Sequence, residues 1–291
     1  MKKYHQPLRR LLLLGSVLLF IGWPFPASAL DPDRTIYQYN CHTWRRVNGL
    51  PANAVTAIAQ TEDGRLWLGT SQGLVYFDGV GFRVFDLAGE KGMESKVIDC
   101  LARRPGGGLW FGLDHGSFGY FDGQQFHSLQ QAELQGPFAT VRSMLETRDG
   151  RMLLGGSALA GNWVNTNVFK SLLPTTNADV LSIYEDARGR IWIGTADQGL
   201  FYWENGRLTA FPDQTLRNMV ISAIAVDPAG DLWLGTAQNG LRRYNSNFQS
   251  VPLNVVYSQP MAMLVDRHGV LWIGTLDAGL IRYQGQVYLV A

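Results

Sequence analysis

Hydrophobic and polar residues alternate in short runs along this chain, and glycine, aspartate or asparagine interrupts each run. VTAIAQ at 55–60, RLWLG at 65–69 and LVYF at 74–77 are typical. A period of two is the signature of strands with one face turned inward. Turn-forming residues between such runs predict tight antiparallel connections. The pattern therefore predicts an all-β protein of many short strands, with no helix inside residues 45–285.

The runs are also periodic on a larger scale. LWLGT at 66–70 returns as LWFGL at 109–113, IWIGT at 191–195, LWLGT at 232–236 and LWIGT at 271–275, with a drifted copy, MLLGG, at 152–156. The tryptophans are Trp67, Trp110, Trp192, Trp233 and Trp272, and Leu153 takes the place in the third copy. Successive spacings are 43, 43, 39, 41 and 39 residues. That period is the length of one four-stranded blade of a β-propeller.

Each column of the repeat has a physical purpose. Glycine stands three residues before the Trp in all six copies (Gly64, Gly107, Gly150, Gly189, Gly230, Gly269), where a hairpin turn needs positive φ. Asp186, Asp227 and Asp266, six residues before it, are placed to close the same turn through their own downstream amides. Gly69, Gly112, Gly155, Gly194, Gly235 and Gly274, two residues after it, share the Trp face and leave room for bulk from the adjacent blade. Ten residues before the Trp, the side chain is always small: Ala57, Cys100, Ser143, Ser182, Ala223, Ala262. Innermost strands that converge on a channel require this.

In the first copy the four strands fall at about 54–60, 65–70, 73–78 and 82–86. Six such blades are recognisable, and HTWRRV at 42–47 reads as an extra outer strand ahead of them. Outer strands then exceed inner sets by one. The ring is either six-bladed with a redundant strand or an incomplete seven-bladed ring. An N-terminal closing strand would bring Trp44 near Ile281, Tyr283 and Tyr288 of the sixth blade. In the third copy, Trp163 is a candidate to refill the volume lost with the missing Trp, and a loop modified for contact is the alternative.

The N-terminus changes the picture of where the protein works. Lys2, Lys3, Arg9 and Arg10 precede an apolar run at 11–25, and Ala27, Ser28 and Ala29 follow. This is a signal peptide over 1–29, with the propeller domain at 30–291 placed in the periplasm or outside the cell. An uncleaved segment would instead anchor the protein at the inner membrane. Removing residues 1–29 takes four positive charges and brings the chain near −3. Export and mild acidity argue against a nucleic-acid partner. Cys100 belongs to the small inner column and Cys41 precedes the first repeat, so no disulfide is expected between them. No histidine pair has metal-ligand spacing and no catalytic motif is present, so no catalytic residue, metal or cofactor is expected.

NGLPANAVTAIAQTEDGRLWLGTSQGLVYFDG at 48–79 resembles the two-component regulator propeller repeat, as do EDARGRIWIGTADQGLFYW at 185–203 and DRHGVLWIGTLDAGLIRY at 266–283. The resemblance implies the extracytoplasmic sensor region of a histidine kinase or cyclase type of regulator. It implies no kinase activity for these residues, because the output segments of that family have no counterpart in this sequence.

The loops between second and third strands are polar. They place Gln72, Asp114, His115, Asp197, Gln198, Gln238, Asn239 and Asp277 around one mouth of the ring. Such a rim suits a small polar ligand, a carbohydrate for example. The same residues are also ordinary turn formers. Three functions follow: a ligand-sensing propeller that signals to a membrane-bound partner, an interaction scaffold that works by self-association or partner binding, and, by fold analogy alone, a lyase.

Overall fold

The computed structural model describes residues 42–87, 93, 95–129, 140–157, 159–165, 168–171, 178–253, 259–283 and 287–290. The expected signal peptide and Cys41 lie outside them. The described residues form six four-stranded antiparallel sheets, each running in chain order from an inner to an outer strand. The first holds β1 (Val55–Gln60), β2 (Leu66–Thr70), β3 (Gly73–Phe77) and β4 (Phe82–Phe85). The second holds β5 (Ile98–Arg103), β6 (Leu109–Leu113), β7 (Phe118–Phe121) and β8 (Phe126–Leu129). The third holds β9 (Val141–Glu146), β10 (Met152–Gly156), β11 (Leu159–Asn165) and β12 (Val168–Ser171). The fourth holds β13 (Val180–Glu185), β14 (Ile191–Thr195), β15 (Leu200–Glu204) and β16 (Arg207–Ala210). The fifth holds β17 (Ile221–Val226), β18 (Leu232–Thr236), β19 (Gly240–Tyr244) and β20 (Ser250–Val251). The sixth holds β21 (Pro260–Val265), β22 (Leu271–Thr275), β23 (Leu280–Tyr283) and β24 (Val287–Val290). This is the β-propeller that the repeat predicts.

The turn glycines behave as the period requires: all six before the Trp column have φ between 78° and 99°. The aspartate column closes its turns as expected and also does something further. Asp186 accepts from Arg188 N and Arg190 N through Oδ1, and its Oδ2 accepts from Trp192 Nε1 at 3.1 Å. Trp233 donates to Asp227 and Trp272 to Asp266 in the same way, each at 2.9 Å. A buried indole N–H needs an acceptor, and one carboxylate supplies it while holding the turn. Where the aspartate is missing, other groups step in. Trp67 donates to Thr61 Oγ1, and Trp110 reaches Glu146 of the next sheet at 2.6 Å.

Adjacent sheets interlock through the second glycine column. A Cβ on Gly69 would lie 2.8 Å from Ile98 Cγ2. Gly112 receives Val141, Gly155 receives Val180, Gly194 receives Ile221 and Gly235 receives Pro260 in the same manner. Hydrogen bonds near the axis run alongside. Thr56 Oγ1 donates to Ile98 O at 2.5 Å, Cys100 Sγ to Val141 O at 3.2 Å, and Ser222 Oγ to Pro260 O at 2.5 Å. Cys100 is a free, buried cysteine. Burial first, and the nearby Asp99 charge second, push its thiol far above the ordinary range. In the third sheet Leu153 fills the Trp position, fully buried against Val180 and Ile191. Trp163 pairs with Met152 across the ladder. Its side chain lies outside the described set.

The N-terminal reading is corrected. Residues 42–45 carry no strand, and Arg46–Asn48 is a single 3₁₀ turn. Asn48 Oδ1 accepts from Arg45 N and Asn53 Oδ1 accepts from Arg46 N, so side chains take amides that a ladder would need. Among the described residues Trp44 packs on the first sheet and not on the sixth. It stacks edge-on against Phe77 and Phe82 of the first, with centroids 5.1 and 6.3 Å away.

The inner strands pack in sequence order: β1 on β5, β5 on β9, β9 on β13, β13 on β17 and β17 on β21. Among the described residues no comparable packing joins β21 to β1. Ile58 of β1 is 65% exposed, whereas Ile224 at the same position of the fifth sheet is 6% exposed. Leu264 and Leu280 of the sixth sheet are exposed too. The six sheets form an open arc, so the closed six-bladed alternative is set aside.

Candidate functional site

Four of the six loops between second and third strands share one construction. The threonine three residues after the Trp donates its hydroxyl to a glycine carbonyl: Thr70 to Gly73, Thr195 to Gly199, Thr236 to Gly240 and Thr275 to Gly279, at 2.7–2.9 Å. The same oxygen accepts an amide from the loop tip, from Gln72, Gln198, Asn239 and Ala278 in turn. The next residue ties the loop to the entry of its own inner strand, as in Ala196 N to Asp179 O and Ala237 N to Val220 O. The turns are thus closed by threonine and backbone. Gln72, Asp197, Gln238, Asn239 and Asp277 point their side chains to exposed positions at one end of the sheets. Gln198 and Asp114 are half-buried, and Gln238 Oε1 accepts from Val220 N at 3.3 Å.

The second sheet departs from this plan, because Leu113 replaces the threonine. His115 takes positive φ, 62°, and Asp114 bridges to Thr140 of the third sheet. His115 Nε2 lies 3.6 Å from Asp114 Oδ2. Asp114 Oδ1 is a buried atom with no hydrogen-bond partner among the described residues. Two residues that the sequence did not single out join this group. Asp99 of β5 senses the Asp114 charge and, in the opposite sense, that of Arg142 of β9. Burial first and Asp114 second raise the Asp99 carboxyl above its usual range, against the pull of Arg142 and His115.

A second polar group was also missed. The connection into the fifth sheet carries a 3₁₀ turn, Gln214–Leu216, capped by Asp213. Tyr244 is fully buried and donates to Asp213 Oδ2 at 2.7 Å. Arg242 donates to Thr215 Oγ1 at 2.8 Å and to Tyr244 Oη at 3.3 Å. Burial pushes the Tyr244 hydroxyl up to about 12. The turn sits over the neighbouring loop, since a Cβ on Gly199 would strike Leu216 O. This end of the arc therefore presents carboxylates, amides and two arginines.

A cleft also opens at the opposite end, between the hairpins at 186–190 and 227–231. Arg190 fills much of it, stacked on Trp192, Tyr202 and Phe248 at 5.2–5.4 Å and paired with Glu204. An equivalent cleft lies between the first and second sheets. It belongs to the repeat geometry rather than to one site.

Three stretches, 49–72, 174–197 and 215–238, match the family model for the two-component regulator propeller. Each stretch carries an inner strand, the Trp strand and the threonine-closed loop described above. These three stretches are similar to two-component regulator propeller repeats. The fold of the repeat array recurs in solved structures. The extracellular domain of a hybrid two-component system of B. thetaiotaomicron is 22% identical, with a TM-score of 0.66 over 83% of this chain and 34% of that one. Virginiamycin B lyase of Staphylococcus aureus is 14% identical, with a TM-score of 0.66 over 81% and 84%. PorZ, a surface component of the type-IX secretion system of Porphyromonas gingivalis, is 18% identical, with a TM-score of 0.60 over 78% and 38%. This chain spans about a third of the length of the hybrid-system domain. No curated protein matches the chain. Among the described residues no helix is long and apolar enough to cross a membrane.

The raised Asp99 carboxyl gives a pH prediction. A folded-state pKa above the unfolded one favours folding below the ordinary carboxylate range. That advantage is lost as pH rises through the folded value. Asp99→Asn should therefore raise the urea midpoint at pH 7 and bring no gain at pH 3. Equal effects at both values would mean that Asp99 is not strained by burial and Asp114.

Proposed function

We propose that this chain is the sensing part of an extracytoplasmic signalling protein, and that it binds a small polar ligand, a carbohydrate by preference, at the mouth built from its second-to-third-strand loops. The observation that carries this reading is the threonine closure. It removes the need for Gln72, Asp197, Asn239 and Asp277 as turn formers, yet the tips remain polar and exposed. Side-chain amides donate to hydroxyls and accept from them, carboxylates accept from them, and Arg142 and Arg242 add fixed donors. The ligand-bound state would be passed to a membrane-bound signalling partner. The family of the repeat and the fold shared with extracellular domains of hybrid two-component systems support that role.

The test is a panel of oligosaccharides titrated by calorimetry against the chain and against the triple variant Asp197→Ala, Gln238→Ala, Asn239→Ala. Binding should be abolished in the variant. Exposed substitutions of this kind change stability by only about 0.5 kcal/mol each, so the melting curve should barely move. Unchanged affinity would put the ligand elsewhere. Absence of any binding across the panel would favour the scaffold reading, and turnover of a bound compound would favour the lyase.

A further inference from the structure

One position in each inner strand falls on the register slip: Thr56, Asp99, Arg142, Leu181, Ser222 and Met261 in turn. Thr56 and Ser222 spend their hydroxyls on a carbonyl of the next sheet. A carboxylate has no proton to give to such a carbonyl, so Asp99 does not repeat that bond. Among the described residues Asp99 makes no hydrogen bond and no ion pair, although it is half-buried. Arg142 makes one long bond there, from Nε to Thr140 Oγ1 at 3.4 Å. The loop of the second sheet is tied to the same place. Asp114 N donates to Val97 O at 3.1 Å, two residues before Asp99, and Asp114 bridges to Thr140, two residues before Arg142. Asp114 Oδ1 is buried without a partner among the described residues, and Oδ2 has His115 Nε2 at 3.6 Å. Thr140 Oγ1 and Ser157 Oγ, 3.1 Å apart, border the group. By contrast, Asp213 and Arg242 at the fifth sheet are both satisfied, by Tyr244 and Thr215. The seam of the second and third sheets therefore gathers two carboxylates and a guanidinium that feel one another and form no ion pair. Partly buried charges held in this way are completed by a group from outside the chain.

We propose that this seam is a subsite for a protonated amine with a hydroxyl or carboxylate beside it, as in an amino sugar or an α-amino acid. The inference rests on the reading of the mouth as a site for a small polar ligand, and it names the chemistry of that ligand. An ammonium carries three N–H donors, enough for Asp99 and for the orphaned Asp114 Oδ1. The neighbouring oxygen of the ligand accepts from Arg142, whose planar fork suits a hydroxyl pair or a carboxylate. Opposite charges that the chain keeps apart are thus joined through one small molecule. A neutral sugar brings no charge to the two carboxylates, and an acidic sugar without an amine is repelled by them. The raised Asp99 carboxyl accords with this: a cation arriving between Asp99 and Asp114 relieves their mutual repulsion.

The experiment is a calorimetric titration at pH 7 of the full chain, Asp99→Asn and Asp114→Asn with glucosamine, N-acetylglucosamine, glucose and serine. Glucosamine or serine should bind the full chain at least about tenfold more tightly than N-acetylglucosamine and glucose, because acetylation removes the charge that the two carboxylates read. Which of the two amines binds identifies the source. Each Asn substitution should remove the preference. Asp99→Asn is expected to stabilise the fold, so a loss of binding in that variant is not a loss of structure, and the melting curve of Asp114→Asn is the matching control. Equal affinity for glucosamine and N-acetylglucosamine, unchanged by either substitution, would overturn the subsite and leave the sugar-binding mouth standing. An amine preference that survives both substitutions would also overturn it. Binding of none of the four compounds would overturn it as well, and the oligosaccharide panel then decides the mouth separately.

Discussion

Trp192→Ala should cost about 3–5 kcal/mol of stability and lower the thermal midpoint by about 6–20 °C. The indole is 1% exposed, and it joins the fourth and fifth sheets. It contacts Tyr202, Phe211 and Phe248 with centroids 5.5–6.0 Å away, and Arg190 lies over its ring at 5.2 Å. Removing it leaves a cavity across an interface and takes the donor from Asp186, which is itself buried. The cost therefore combines lost packing with an unpaired carboxylate oxygen. Trp272→Ala is the internal comparison. Trp272 makes the same bond to Asp266 but is only half-buried at the open end of the arc. Differential scanning calorimetry of both variants should show the larger loss for Trp192. Equal losses would mean that the sixth sheet is covered in solution.

Gly194→Val should also be damaging, to a smaller extent and by the opposite mechanism. The new Cβ would strike Ser182 Oγ of its own sheet and lie 2.8 Å from both Ile221 Cγ2 and Ile221 O of the next, and the last of these atoms is backbone. Neither Ile221 atom can move without spreading two sheets, and overpacking of this kind costs about 1–3 kcal/mol. The midpoint should fall by about 2–12 °C, measured by circular dichroism at 218 nm or by calorimetry. Tolerance of Val at 194 would mean that neighbouring sheets are held apart by something other than this glycine.

Much of this architecture was legible because the repeat is a physical device copied six times. Trp67, Trp110, Trp192, Trp233 and Trp272 marked the sheets, and the glycines after them marked where sheets meet. What escaped was contact made across the third dimension. The bond from Asp186 to Trp192 spans six residues of hairpin, and period-two alternation says nothing of it. Segment 42–47 stands where the repeat places an outer strand, yet Asn48 and Asn53 divert its amides into a turn. Asp99 and Arg142 were missed for a more specific reason. In every inner strand the register slips between the residues twelve and ten places before the Trp column. The bulge turns the intervening residue out of the alternation, and that residue is Asp99 in β5 and Arg142 in β9. Of the loop-tip residues, Gln72, His115, Asp197, Gln238, Asn239 and Asp277 are exposed, whereas Asp114 and Gln198 are half-buried. Their freedom from turn duty depended on threonines that read as ordinary strand ends.

That threonine closure separates what the loop must be from what it displays. The hydroxyls of Thr70, Thr195, Thr236 and Thr275 and the glycines they hold fix the backbone path. The residues between them can be exchanged without disturbing the frame. A scaffold of this kind behaves like type set in a fixed forme: each tip is a separate character, and its wording can change while the page stays locked. New recognition can then arise by single substitutions at the mouth, with little risk to the fold beneath it.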